Sequence, residues 1–440
     1  MKAGIMITRW LVQACRSSGR LARALAVIGI TGLLVAAGPD DESGKLAAAK
    51  IIATPAMPMP GYLQPAIDPA FGTRFTRVTD PGHELMTGVA CNTAYCTHRY
   101  SSAQAWNADQ SLLAITMGCS GFCFLDGHSY APAFHRPGSN ECEWHPSNPA
   151  LMLCVSPSEI YAWAPRTDAK VTLYAPADYT GLQFGPYKGN PSKDGNVLVV
   201  RAVNAAGTLV AFAYDIARKM KHPDIDLSKL AGANNFCSTS PSGQFVFCFQ
   251  DMADESNESY VFTVNGVLMQ HWTENHRPGH GDMTLDANGD DVYVGISKAD
   301  PDKYHVIKRR LRDGLVTDLV TFGEGQHASI RNINRPGWVF LSYSGVYPKP
   351  AEHPDWAPFY MEIVALRIDG SGGLRRIVHT RSAKADYWSE AHASPSPDGT
   401  QIIWASNWGQ AGGPVAAYVA RISWMASPVQ PKQRTGKTVQ

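Results

Sequence analysis

The sequence predicts an all-β protein, a seven-bladed β-propeller of four-stranded antiparallel blades. Seven turn sequences recur along the 440 residues, and an apolar, β-rich run follows each of them at once. The turns are about 40 to 48 residues apart, except for a longer last interval, and this spacing is typical of propeller blades. Almost no segment shows the 3.6-residue periodicity of a helix. A sandwich with an additional domain would leave seven matched turns unexplained.

Residues 1–38 have the composition of an export signal. Basic residues from Lys2 to Arg23 precede an apolar run over 24–37, which ends in small residues suited to cleavage. This run of about 14 residues is shorter than the roughly 20 that a membrane span requires, although a retained N-terminal anchor stays an alternative. We therefore expect a secreted or periplasmic protein whose mature chain has no membrane span.

The rest of the chain divides by composition. Residues 39–60 are rich in Ala and Pro and predict a linker, whereas 61–426 predict the propeller and 427–440 a polar tail. The second strand of each blade should follow its turn, and the seven runs are SLLAIT, ALMLCV, NVLVV, FVFCF, DVYVGI, WVFLSY and QIIWAS. Because the seventh blade has only three evident strands, we expect Thr73–Thr79 to supply its outer strand and close the ring.

Nine cysteines are present, and Cys15 lies in the predicted signal, so an even number remains in the mature chain. This suits an oxidising compartment and disulfides. Two pairs straddle turns as cross-strand bridges would, and two lie close together in loops: Cys142 and Cys154, Cys237 and Cys248, Cys91 and Cys96, Cys119 and Cys123. Free buried thiols, or Cys237 as a metal ligand, are the alternatives. A zinc ribbon is not predicted, because it would need two close CxxC pairs.

The charge balance limits the possible partners. The formal net charge is +1 and only 18% of the residues are charged, so no basic field favours nucleic acid. An anionic ligand must therefore be held by a local cluster of side chains. We expect the protein to be a monomer.

We expect a propeller to have a central channel. At one of its mouths, each blade should place the residues just before its first strand and just after its second strand. Five blades place a histidine at the start of their first strand, an accumulation that indicates a site. The resulting candidates for substrate binding are Trp144, Lys188, Asn190, Tyr347, Trp356 and Trp408, with Tyr347 and Trp356 on the long loop 342–358.

Four stretches resemble secreted polysaccharide lyases of the ulvan lyase type, which cleave chains that contain uronic acid. They are DPAFGTRFTRVTD, YSSAQAWNADQS, NECEWHPSNPALML and GPYKGNPSKDGNVLVVR, in blades 1 to 3 and the closing strand. The resemblance implies a polysaccharide lyase whose partner is an anionic polysaccharide or oligosaccharide, with Tyr187, Arg201 and His145 in catalytic roles. Where the family has a second catalytic histidine, this sequence has Gly118, Cys119 and Ser120, and His98 is the expected substitute.

β-Elimination requires these residue types. It removes the proton α to the uronate carboxylate, so a cation or close hydrogen-bond donors must stabilise the developing charge, and Arg201 with His145 would do so. A base takes the C5 proton, and an acid protonates the leaving glycosidic oxygen. Tyr187 suits either role if neighbouring cations lower its pKa, since an unperturbed phenol has a pKa of about 10.

A second group of candidates comes from three successive blades: His280, Asp282, His327 and His392, with Gln326 nearby. Imidazole with carboxylate suits a divalent metal, Mn, Zn or Ca. The group resembles the His and Gln ligands around manganese in propeller lyases that act on oligogalacturonate. A hydrogen-bonded histidine belt along the channel is the alternative.

Two other functions stay open at this point. A non-catalytic, TolB-like periplasmic propeller would bind protein or glycan, as the SPDG and SPSG turns permit. A hydrolase would need two facing carboxylates, for which Glu390 and Asp282 are the candidates.

Overall fold

The computed structural model describes residues 44–45, 49–138, 141–185, 189–253, 257–273, 277–321, 326–343 and 358–424. These residues form an all-β protein in which seven blades surround a central channel, as predicted. The described helices are two short 3-10 helices, Leu227–Lys229 and Tyr387–Ser389. In the described part of the chain, no helix is long and apolar enough to cross a membrane.

Blades 2 to 5 each have four strands in chain order from the channel outward, paired antiparallel. Blade 2 consists of Glu141–Trp144, Met152–Ser156, Glu159–Ala164 and Ala169–Tyr174. Blade 3 consists of Tyr179–Gln183, Val197–Asn204, Leu209–Asp215 and two short outer pieces, Met220–Lys221 and Ile225–Asp226. Blade 4 consists of Ala233–Thr239, Phe245–Asp251, Asn257–Thr263 and Leu268–Trp272. Blade 5 consists of Pro278–Leu285, Asp291–Ser297, Val306–Arg310 and Val316–Val320.

The other three blades lie where the ring closes. Blade 6 consists of His327–Ser329, Trp338–Ser342, Glu362–Arg367 and Gly373–His379, and blade 7 begins with Ser394–Pro395, Gln401–Ser406 and Val415–Arg421. Blade 1 consists of Leu112–Ile115, Phe122–Asp126 and Pro132–Arg136, and its inner position is taken by residues 97–106 through single bridges. Ahead of blade 1 lie the hairpin Glu84–Met86 and Val89–Ala90, and Tyr95–Cys96, which pairs parallel with blade 7.

The chain ends meet in blade 7. Arg74–Arg77 pairs antiparallel with Val415–Arg421, with Phe75 opposite Ala420, so the predicted closing strand is confirmed. Pro65–Ile67 pairs in turn with Arg74–Arg77. This pairing covers the strand edges that an open ring would expose.

The core lies in layers between neighbouring blades. In the second strand of blade 3, the first six residues of Val197–Asn204 are all buried, because both faces of the blade are covered. Leu198 and Val200 pack with residues of blade 2, whereas Val197 and Val199 pack with residues of blade 4. Fully burying one such side chain contributes about 1.5 to 3 kcal/mol, which is why every second strand is apolar along its length.

All eight cysteines of the predicted mature chain form disulfides. Cys142–Cys154 and Cys237–Cys248 join directly opposed residues of an inner and a second strand, with Cα atoms 4.0 and 4.1 Å apart. Cys91–Cys96 and Cys119–Cys123 close short loops. The alternative of Cys237 as a metal ligand is therefore wrong. Four disulfides fit an extracellular or periplasmic protein.

The segment predicted as a linker lies against the propeller where it is described. Gly44–Lys45 pairs with the outer strand of blade 6, Gly373–His379. Further on, the Lys50 carbonyl accepts a hydrogen bond from Arg376 and the Met57 carbonyl accepts one from Trp408. These contacts tie the segment to blades 6 and 7.

The central channel has two mouths, which the direction of the inner strands distinguishes. All inner strands run the same way along the channel, since each blade is a meander that starts at its inner strand. The residues near their starts, such as His280 and His327, line the mouth that we name the entry mouth. Their last residues and the hairpin turns, such as 241–244 and 397–400, line the opposite mouth, which we name the turn mouth.

Candidate functional site

Four side chains from blades 5, 6 and 7 meet at the entry mouth: His280, His327, Glu390 and His392. We name them the histidine cluster. The rings of His280 and His327 stack with centroids 4.8 Å apart, and those of His327 and His392 lie 4.3 Å apart. His327, Glu390 and His392 are at most 3% exposed. The ring of blades thus gathers residues that are distant in the chain, as the sequence predicted for the three histidines.

Hydrogen bonds fix the proton positions in the cluster. A carbonyl oxygen only accepts, so His280 Nδ1 carries the proton that it donates to the Gln326 carbonyl at 2.9 Å. His327 Nε2 donates to one oxygen of the Glu390 carboxylate. The other Glu390 oxygen binds Lys384 Nζ at 2.6 Å. His280 Nε2 therefore carries a lone pair, the form that binds a metal or accepts a proton.

His98 lies directly behind the cluster. Its Nε2 donates to the His392 carbonyl at 2.7 Å, and burial lowers the pKa of His98 to about 4. Burial also holds the pKa of His392 well below its ordinary value, with the neighbouring His327 adding to the effect. For His280, burial and then Lys298 lower the pKa well below the ordinary value. These imidazoles are therefore neutral near pH 7.

Two cluster residues have a strained backbone. His280 and His392 adopt φ values of +47° and +43°, in the left-handed region that residues other than glycine rarely occupy. Gly281 follows His280, and a Cβ atom on it would lie 2.2 Å from the Val294 carbonyl oxygen. Strain of this kind costs of order 1 to 3 kcal/mol per residue and is concentrated at functional sites.

Two tyrosines cover the cluster. The hydroxyls of Tyr100 and Tyr387 are hydrogen-bonded at 2.6 Å, and the Tyr387 ring lies 5.1 Å from that of His392. Burial, and then the neighbouring Tyr387, raise the pKa of Tyr100 well above its ordinary value. Tyr100 therefore stays protonated, whereas the partly exposed Tyr387 sits between the cluster and solvent.

A divalent transition metal fits the donors of His327, Glu390 and His392. Their ligand atoms lie within 4.8 Å of one another. His392 Nε2 is buried without a hydrogen-bond partner in the described chain, 3.9 Å from Glu390 Oε2. Neutral imidazole with carboxylate suits Mn or Zn, whereas Ca, the third predicted metal, prefers oxygen ligands alone.

Asp282, which the sequence analysis placed among the ligands, is not part of the cluster. Its carboxylate makes a bidentate ion pair with Arg331, with Nε and Nη2 each 2.7 Å from an oxygen, and also accepts from the Ile330 backbone N–H. Asp282 lies two residues further toward the turn mouth than His280, and Glu390 occupies the place expected for its carboxylate.

Arg201 is a buried cation near the entry mouth. It lies opposite Gln183 in blade 3, donates to the Gln183 side chain at 3.1 Å and is 6% exposed. Its buried Nε has no hydrogen-bond partner, and no carboxylate of the described chain pairs with it. Burial lowers its pKa, although an arginine remains charged. A buried guanidinium without a carboxylate partner is suited to bind an anion.

His145 lies at the turn mouth, which corrects the predicted catalytic group. It follows the last residue of the inner strand Glu141–Trp144, and its Nδ1 accepts from the backbone N–H groups of Ser147 and Asn148. Its ring also lies beside Gly195, at the start of the hairpin strand that carries Arg201. Arg201 is six positions further along this hairpin than Gly195, roughly 20 Å in extended chain. His145 therefore cannot act with Arg201 or His98.

The predicted sugar contacts that are described have structural roles. Trp144 and Asn190 are buried and donate to backbone carbonyls of blade 1. Trp408 donates to the Met57 carbonyl at 2.9 Å and packs against Phe75. The remaining candidates, Tyr187, Lys188, Tyr347 and Trp356, lie outside the described residues.

Three residues of the site were missed or given another role by the sequence analysis. Glu390 was considered only for a hydrolase, and Tyr387 and Lys384 were not considered. Their signal was available, since Tyr387, Glu390 and His392 are spaced three and two apart directly before the inner strand of blade 7. The contact of this segment with blades 5 and 6 had no signal in the sequence.

No family model and no curated protein matches this sequence. Among solved structures, oligogalacturonate lyase from Vibrio parahaemolyticus superimposes with a TM-score of 0.55 at 10% identity, over 83% of this chain and 97% of that one. TolB from Acinetobacter baumannii gives a TM-score of 0.36 at 15% identity, over 64% of both chains. At 10% identity, the likeness to the lyase shows the propeller fold alone, and the likeness to ulvan lyases stays a prediction.

Proposed function

We propose that this protein binds an acidic carbohydrate at the entry mouth and cleaves it by β-elimination beside the histidine cluster. The observation that carries the proposal is the buried contact of His327, Glu390 and His392, with a neutral His392 imidazole and a strained backbone, beneath the partly exposed Tyr387. The cluster combines negative charge, lone pairs and a proton-carrying hydroxyl in one place. An acid-base reaction needs this combination more than simple binding does.

Positive charge must meet the uronate carboxylate, because the proton beside a fully charged carboxylate is hardly acidic. Arg201 provides a buried guanidinium that donates to the neutral Gln183 amide, and the nearby Glu141 carboxylate favours its charge. A divalent metal held by His327, Glu390 and His392 would add charge as a Lewis acid next to the same carboxylate. Secretion of such an enzyme would agree with the four disulfides and the predicted signal.

The proton transfers are assigned to residues on the solvent side of the cluster. His280 Nε2 takes the C5 proton, while the Gln326 carbonyl holds the opposite N–H of the ring in place. An arriving carboxylate raises the pKa of His280, since a nearby negative charge favours the imidazolium. As the bond from C4 to the glycosidic oxygen breaks and the C4=C5 double bond forms, Tyr387 protonates the leaving oxygen.

The test is to incubate the secreted protein with polysaccharides rich in uronic acid and to follow ultraviolet absorbance of the unsaturated uronate end. Only elimination produces this chromophore. New reducing ends without absorbance would identify a hydrolase. Binding without any cleavage would leave a non-catalytic propeller. Either result would overturn the proposal.

A further inference from the structure

We infer that a slot between blades 1 and 2 is a subsite for a neutral, hydroxyl-rich sugar, so that the substrate alternates neutral sugars with uronates. The inference rests on the proposed function and specifies its substrate class. The slot is a cavity of about 310 Å³ that adjoins a second one of about 260 Å³, and they share the wall residues Phe122, Gly138 and Cys142. The first volume is at the lower end of the roughly 300 to 1,000 Å³ found for small-molecule sites, and the second is slightly below it.

Small side chains create the slot. Ala103, Ala105 and Ala114 face it from blade 1, and Gly121 and Gly138 lie at its entry-mouth end. Larger residues at these positions would fill the gap, because protein interiors are close-packed. The slot between blades 1 and 2 therefore follows from the small residues that the sequence places there.

The slot abuts the histidine cluster through three consecutive residues. His98 bonds the His392 carbonyl and Tyr100 bonds Tyr387, so both side chains point to the cluster. Arg99 lies between them and points the other way, to Glu143 of blade 2 and into the slot. Because Arg99 is flanked by the two residues that face the cluster, the slot and the cluster lie on opposite sides of this segment.

The charge of the slot disfavours a second uronate. Among the described wall residues, the ionisable ones are the guanidinium of Arg99 and the carboxylates of Glu141 and Glu143, so these groups carry one excess negative charge. Arg99 is already bound to Glu143. Carboxylate oxygens accept hydrogen bonds from sugar hydroxyls but repel a uronate carboxylate. The apolar wall of Phe122 suits the C–H face of a neutral ring.

One wall atom lacks a partner that a sugar would supply. Thr116 Oγ1 is buried in the slot wall, and it makes no hydrogen bond in the described structure. Leaving a buried hydroxyl unbonded is costly, and a sugar hydroxyl in the slot would supply the missing partner of Thr116. Thr239 Oγ1, at the turn mouth, is a second buried hydroxyl without a partner and provides a matched control.

The experiment uses two oligosaccharides of equal length, one that alternates neutral sugar with uronate and one of uronate alone. The cleavage of each is measured with wild type, Thr116→Val, Thr239→Val and Glu141→Gln. Both valine variants remove an unbonded hydroxyl, so both should fold with unchanged or higher thermal stability. We expect Thr116→Val to raise KM for the alternating substrate roughly three- to tenfold, the loss of one hydrogen bond, and Thr239→Val to leave it unchanged. Glu141→Gln should improve cleavage of the all-uronate substrate.

The possible failures are distinguishable. Equal cleavage of both substrates by wild type, or equal effects of the two valine variants, would overturn the proposal that the slot binds a neutral sugar. The proposed β-elimination would be unaffected. If neither substrate is cleaved, the proposed function fails. Calorimetric binding of the alternating oligosaccharide then decides whether the slot binds a sugar. Weaker binding to Thr116→Val than to Thr239→Val would then support it, and equal or absent binding would overturn it.

Discussion

His327 Nε2 donates a hydrogen bond to the Glu390 carboxylate, although 63 residues separate the two in the chain. The other carboxylate oxygen binds Lys384, so a single buried group organises a histidine and a lysine at the entry mouth. The position of the His327 imidazole thus depends on the negative charge of the Glu390 carboxylate. Removing that charge while keeping the side-chain volume tests its role.

Glu390→Gln should lower the elimination rate about 10- to 100-fold, because the amide loses the charge that orients His327 and would bind a metal. The rate is measured by ultraviolet absorbance, with circular dichroism to check the fold. Glu258→Gln is the control, since Glu258 accepts from His271 at 2.9 Å on the outer part of blade 4. A wild-type rate for Glu390→Gln, or an equal loss in the control, would contradict the assignment.

Mn²⁺ should raise the melting temperature of wild-type protein. A ligand at 100 times its dissociation constant stabilises the folded state by about 2.7 kcal/mol. His392→Ala removes a ligand and should abolish this shift, whereas His271→Ala, which changes a histidine far from the cluster, should retain it. Differential scanning calorimetry with and without the metal measures both. The same shift in all three proteins would rule out the proposed metal centre.

Tyr387→Phe should reduce the elimination rate about 10²- to 10⁴-fold, the range for loss of an acid-base group. The ring and its contacts with His392 persist, so KM should change little. Tyr130→Phe serves as control, because Tyr130 donates to Gln401 at 2.7 Å on the side of blade 7 away from the cluster. An unchanged kcat in Tyr387→Phe would transfer the role to another group, with Tyr187 as the next candidate.

Asp68 fastens the closing segment to the ring, and its protonation should weaken the fold. It is fully buried and accepts from Arg381 at 2.9 Å and from the His379 backbone N–H at 3.1 Å. Burial alone would raise the pKa of Asp68, but hydrogen bonds from His379 and Arg381 hold it far below the ordinary value. Because the folded pKa is depressed, this stabilisation is fully present above the unfolded pKa of about 4 and is lost as pH falls below it.

Asp68→Asn should accordingly lower the free energy of unfolding at neutral pH by about 3 to 5 kcal/mol, since Arg381 is left buried without its carboxylate. The variant should also lose less stability than wild type when the pH falls below about 4. Urea unfolding at a series of pH values measures both effects, with the turn residue Asp126 changed to Asn as control. Wild-type stability at neutral pH would refute this role.

Much of the fold followed from local patterns. Each apolar run became a second strand because a blade packed between two neighbours must be apolar on both faces, as Leu198 and Val199 illustrate. The closing strand around Phe75 was predictable because blade 7 lacked one strand in the sequence. The disulfide partners lay at spacings that suit a hairpin or a short loop, so the four bridges also carried a local signal.

The candidate site could be predicted from the sequence only in part. Counting histidines at strand starts found His280, His327 and His392, but it assigned His145 to the same mouth, although His145 ends its inner strand. The position within a strand decides which mouth a side chain reaches, and the sequence fixes strand ends only to within a few residues.

The sequence by itself determined the number of blades, the closure and the residue types available at the ends of the inner strands, because strand periodicity and turns are local properties. Tertiary structure alone decided that Glu390 rather than Asp282 joins the histidines, and that Arg201 donates to Gln183. Those choices depend on distances between side chains of different blades. Such distances are set by how the blades pack around the channel, and spacing along the chain does not encode them.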